Sequence, residues 1–167
     1  MNTPILDNVE TNMASLIVGM SINDGYNFDW KMVNQEDETL DDYPQAVINP
    51  TDSLADKETS QDTTAGLGSQ DYTNEVLFTV LVKGELKNPG SNPIFEVRSI
   101  LRKCLDDLKK LFGTNYTLNN SCDNILYVGS QQEPKRNNDV QRPAQLRTIW
   151  KIIYAQDRQN PSQYASS

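Results

Sequence analysis

The chain contains no histidine. The commonest general base and the commonest metal ligand are therefore missing together. Catalysis by a Ser–His or Cys–His pair is excluded, as is a histidine-bound zinc. Only two cysteines occur, Cys104 and Cys122, too few for a disulfide framework or a cysteine metal centre. No apolar run approaches the roughly 18 residues that a membrane-crossing helix needs. The first residues also lack the basic stretch and apolar core of a secretory signal. The expectation is a soluble protein that starts in the cytoplasm of the cell that makes it. A glycine-rich phosphate loop is missing too, because Gly66-Leu67-Gly68 precedes a strand pattern instead of opening a helix.

What is present suits one domain. A length of 167 residues can bury a real core, yet apolar residues make up 37% and the mean hydropathy is −0.63, so part of the chain reads as loop. The net charge of −8 sits in one place. Glu36, Asp37, Glu38, Asp41, Asp42, Asp52, Asp56, Glu58 and Asp62 are opposed there by Lys57 alone, and the remainder is neutral. Such a chain has no clustered bases with which to grip a phosphate backbone. The acidic run also lacks the alternating ligands, central glycine and terminal glutamate of a calcium loop. No metal, no cofactor and no enzymatic centre are expected.

Spacing gives the elements. Ile5, Leu6, Val9, Met13, Leu16, Ile17 and Met20 recur at three and four, predicting a helix with Thr3 as its cap and Pro4 in its first turn. Gly19 and Asn23-Asp24-Gly25 end it. Tyr26–Val33 alternates apolar and polar and predicts a half-buried strand. A short strand within Tyr43–Pro50 follows, then an acidic loop at about 51–71 too poor in apolar residues to order itself. Tyr72–Leu86 reads as a long strand, with Val76, Phe78, Val80 and Val82 on one face.

The strongest helix signal runs from Pro93 to Gly113. Ile94, Val97, Ile100, Leu101, Cys104, Leu105, Leu108, Leu111 and Phe112 make its stripe, while Arg98, Arg102, Lys103, Asp106, Asp107, Lys109 and Lys110 face water. Strands at Asn124–Gln132 and Ala144–Ala155 complete the chain. Trp30 and Trp150 read as core, Cys104 as a small buried hydrophobe, and Cys122 as a free thiol in a turn. The whole is an α+β fold: a mostly antiparallel sheet of long strands packed against a central amphipathic helix, plus an N-terminal helix. It forms one domain over 1–158 with a flexible tail at 159–167.

Length adds an expectation about assembly. The two longest strands, at about 3.3 Å per residue, outreach a helix rising 1.5 Å per residue. Their second faces carry Leu77, Leu81, Ile149 and Ile153, which are candidate contacts between subunits.

In this order of elements the chain resembles the phage tail terminator (tail-completion) family. The matching features are the N-terminal helix before the aromatic segment Tyr26–Val33 and the strand Tyr43-Pro44-Gln45-Ala46-Val47-Ile48. Next come the long strand Glu75–Gly84 after a variable loop, and the helix opening Pro93-Ile94-Phe95-Glu96-Val97. The last is the final strand entered through Arg142-Pro143-Ala144. The pattern covers about residues 4–156 and transfers no individual diagnostic residue.

The resemblance implies a homo-hexameric ring in the virion tail or neck, assembled in the host cytoplasm. Such a ring caps the tail tube protein, stops its polymerisation and meets the head–tail connector, while double-stranded DNA passes through without specific binding. Glu36, Asp37, Glu38, Asp41 and Asp42 then become a candidate channel or partner-facing acidic loop. Lys135, Arg136 and Arg142 become a candidate partner-facing basic loop. Two other roles fit the same pattern: a head-closure or adaptor protein of the neck, and a small non-viral module that binds by strand addition.

Overall fold

The computed structural model describes residues 3–32, 44–50, 61–62, 71–84, 93–133 and 144–157. Two helices, α1 (Ile5–Val18) and α2 (Pro93–Thr114), pack on one sheet. The strands are β1 (Lys31–Met32), β2 (Gln45–Pro50), β3 (Gln61–Asp62), β4 (Asp71–Gly84), β5 (Asn124–Glu133) and β6 (Ala144–Asp157). Their order across the sheet is β1-β2-β4-β6-β5, with β3 also on β4. Among the described residues, every pairing apart from the parallel pair of β1 and β2 is antiparallel. This is the expected α+β architecture.

The centre of the sheet is the ladder between β4 and β6, unbroken from Asp71 opposite Asp157 to Gly84 opposite Ala144. Alternation sets its two faces. Val76, Phe78, Val80 and Val82 meet Leu146, Thr148, Trp150, Ile152 and Tyr154 in the core, all buried. From α1 come Ile5, Val9, Met13 and Ile17, one turn apart, and from α2 come Leu101, Cys104, Leu108, Leu111 and Phe112. Phe112 meets Trp150 edge to face, with ring centroids 4.7 Å apart.

Buried polar groups in this core are matched. Thr148, with no exposed surface, donates from Oγ1 to the Val80 carbonyl (2.9 Å) and accepts from Trp150 Nε1 (2.8 Å). Thr148→Val strands the indole N–H and removes a side-chain bond to the Val80 carbonyl, and is expected to cost about 1–3 kcal/mol in urea unfolding. In a Trp150→Phe background the same substitution costs less, because the indole donor is already gone.

Four local readings are corrected. Tyr26–Val33 is not a strand: among its described residues only Lys31 and Met32 join the sheet. Elsewhere the backbone donors find other acceptors. Asn27 N donates to the Asp107 carboxylate (2.9 Å) and Trp30 N to the Met20 carbonyl (3.1 Å). The alternation was still informative, because Tyr26 and Phe28 pack against the core and Trp30 is buried in it.

Thr3 does not cap α1. Pro4 takes the cap position, with no side-chain cap bond, and Thr3 falls outside the helix. The second helix runs past Gly113 to Thr114, whose Oγ1 donates to the Lys110 carbonyl (2.9 Å). Finally, Gln61 and Asp62, inside the segment read as loop, pair with Thr73 and Tyr72.

After α2 the chain reverses through Leu118, Asn119 and Asn120, all with positive φ (46°, 58° and 62°). Left-handed backbone costs a branched residue about 1–2 kcal/mol. Complete burial of Leu118 holds it there, and Ser121 Oγ donates to the Leu118 carbonyl (2.7 Å).

Candidate interaction surface

Both helices lie on one side of the sheet, so the other side is where the four candidate aliphatics fall. In the β4–β6 register Leu77 faces Lys151, Leu81 faces Arg147, Ile149 faces Thr79 and Ile153 faces Glu75. Each aliphatic thus opposes a polar residue, and apolar and polar side chains form a checkerboard whose aliphatics meet along diagonals. All four are half-buried. Lys151 and Glu75 pair across this face at 3.4 Å.

Towards β2 the same face is closed: Val47, opposite Leu81, is buried, and so is Thr79. Gln45 is buried beside them, and its side-chain nitrogen has no hydrogen-bond partner. Towards β5 the face opens, and Leu126, opposite Lys151, is 42% exposed. The acidic candidates Glu36, Asp37, Glu38, Asp41 and Asp42 lie outside the described residues, as do the basic candidates Lys135, Arg136 and Arg142.

One functional-looking residue escaped the pattern reading. Asp107 is assigned above to the solvent face of the helix, yet it is buried, at 2% exposure. Its carboxylate accepts from Asn27 N, from Asn27 Nδ2 (2.8 Å) and from Trp30 Nε1 (3.0 Å). One turn on, Lys110 Nζ donates to the Gly25 carbonyl (2.8 Å) and sits 4.7 Å from the centre of the Tyr26 ring. Burial, then the charges of Asp107 and Asp24, raise the Tyr26 phenol above its ordinary pKa. The signal was in the spacing. Asp107 stands seven residues after Ile100 and four before Leu111, which places it on the border of the apolar stripe. Its role is to clamp the segment after α1 onto α2.

Chemistry elsewhere is muted. The Cys122 thiol is pushed up to about 12, chiefly by burial and then by Asp123, so it stays protonated at neutral pH and is a poor nucleophile. Cys104 is buried in α2. Among the described residues no group of three or more Cys, Asp or Glu is placed to hold a metal ion. A cleft of about 200 Å³ between α1 and the left-handed turn is lined by Ile5, Asn8, Asn12, Asn119, Asn120 and Ser121, with no titratable side chain. No described helix is long and apolar enough to cross a membrane.

No protein-family model matches the sequence, and no curated protein matches it.

Proposed function

We propose that the protein is a phage tail terminator: a structural virion component that forms a ring on the finished tail tube and joins it to the head connector. Its place is the tail or neck of the particle, and its assembly takes place in the host cytoplasm. The observation that carries this reading is the sheet face turned away from the helices. There Leu77, Leu81, Ile149 and Ile153 remain half-buried on the two longest strands, with neither helix over them. The helix α2, 22 residues long, spans about 33 Å, whereas the 14-residue strands reach about 46 Å. A neighbouring subunit gains by covering that surplus. Closed repetition of one such contact gives a ring, with six subunits as the resemblance implies. The order of elements supports the same reading.

The test is imaging followed by reconstitution. Negative stain of the purified protein is expected to show rings with a central hole, and mixing with tail tube protein should cap tubes and halt their growth. Capping of isolated head connectors with no effect on tubes would move the protein to the head side of the neck. A double variant, Leu81→Asp with Ile149→Asp, should weaken ring formation tenfold or more, about 1.4 kcal/mol, with an unchanged circular dichroism spectrum. Rings that survive both substitutions would remove this face from the interface.

A further inference from the structure

The cations of α2 are gathered on its outer side. Arg98, Arg102, Lys103, Lys109 and Lys110 are exposed there, against one exposed acid, Asp106. They divide into two groups. Lys109 lies over the Tyr127 ring, 4.3 Å from its centre, and Lys110 is held by the Gly25 carbonyl and the Tyr26 ring. Arg98, Arg102 and Lys103 are not so engaged: among the described residues their side chains make no hydrogen bond and no ion pair. Nor do they strengthen the helix, because Arg98 and Arg102 stand four residues apart, a spacing at which like charges repel. One turn before Arg98, on the same side, Phe95 is 61% exposed, the most exposed of the large apolar residues described. An aromatic ring beside unpaired arginines has the composition of a protein contact.

The excess charge of the chain, −8, lies between Glu36 and Asp62. Its densest part is Glu36-Asp37-Glu38-Thr39-Leu40-Asp41-Asp42, where five acids enclose one leucine. We propose that the α2 face formed by Phe95, Arg98, Arg102 and Lys103 receives residues 36–42 of a second copy of this chain. The two are complementary in charge and in apolar content, with Leu40 the counterpart of Phe95. Length agrees as well: Phe95 to Lys103 is about 12 Å along the helix axis, and seven extended residues reach about 23 Å. The run comes from another copy, because its own chain leaves these three cations unpaired.

Duplex DNA matches this face less well. It brings nothing apolar to Phe95, and the acidic run repels its phosphates. A contact between two different patches is heterologous and repeats from head to tail. It does not rest on the tail reading, whose carrying observation is the opposite side of the sheet.

Sedimentation equilibrium of the whole chain at about 10–100 μM and low salt should find oligomers. Raising the salt from about 50 mM to about 500 mM should weaken them tenfold or more. Reversing the helix face with Arg98→Glu, Arg102→Glu and Lys103→Glu should do the same. So should reversing the run with Glu36→Lys, Asp37→Lys, Glu38→Lys and Asp41→Lys. An equimolar mixture of the two reversed chains should assemble again, because each then offers what the other lacks. A monomeric wild type would overturn the inference, as would an assembly indifferent to both reversals. So would a mixture no better assembled than its separate components, the result if the run closes on its own α2. If the helix reversal removes binding to duplex DNA and leaves assembly unchanged, the occupant is nucleic acid and the inference falls. Loss of tube capping with this salt-sensitive assembly intact would remove the tail reading alone, and rings that survive both reversals would remove this contact alone.

Discussion

Replacing Asp107 with alanine is expected to destabilise the protein by about 3 kcal/mol or more. The carboxylate is buried and is met by the Asn27 backbone N–H, the Asn27 side-chain amide and the Trp30 indole. Hydrogen bonds to a charged group contribute about 1.5–3 kcal/mol, and a buried donor that loses its acceptor costs about 1–3 kcal/mol. Both penalties fall together, because alanine leaves the buried Trp30 N–H without an acceptor. Asp107→Asn should cost less than alanine yet remain destabilising, since its amide can turn only one oxygen towards the donors. Lys110→Met removes an exposed contact and should cost under about 1 kcal/mol. Urea unfolding followed by tryptophan fluorescence ranks the three. If Asp107→Ala shifts the midpoint no further than Lys110→Met, the clamp is not what holds residues 21–30.

Phe112→Ala is expected to cost about 3–5 kcal/mol, the range for emptying an aromatic from a well-packed core. Phe112 is 1% exposed and stands edge-on to Trp150 at the point where α2 crosses the central ladder. Tyr127 approaches Trp150 as well, with centroids 5.3 Å apart, so the ring of Trp150 joins α2, β5 and β6. Phe112→Leu refills most of the volume and should recover roughly half of the loss. Equal penalties for alanine and leucine would mean that the edge-to-face geometry, and not volume, sets the cost.

Much of this fold is legible from periodicity, and the exceptions share a cause. The stripe of α2 and the alternation of β4 and β6 are long enough for burial to dictate both element and face. The segment Tyr26–Trp30 shows the same alternation, yet alternation reports only which side chains point inward. Whether a backbone pairs in a sheet depends on which acceptors are near, and here a carboxylate from α2, about 80 positions away in sequence, takes the place of a strand. Asp107 was misread for the complementary reason: a charged residue on the stripe border is assigned to water unless its donors are known, and those donors come from that same segment. Of the candidate surface, sequence located the four aliphatics on one face. It did not reveal that they alternate with Lys151, Arg147, Thr79 and Glu75, because register between strands is a property of the assembled sheet.

The central ladder also governs how fast this molecule can come into being. Its strands β4 and β6 are separated in sequence by all of α2 and β5. The loop between them must close before any of that ladder is gained, and such closure is unfavourable until much of the chain has collapsed. Helix α2 and the β5–β6 hairpin are local and can form early, whereas β4 docks late. Until then β6 has one of its two edges bare. Newly made chains therefore pass through an interval in which intermolecular strand pairing competes with completion of the sheet, and slow refolding with concentration-dependent yield is the kinetic signature to expect.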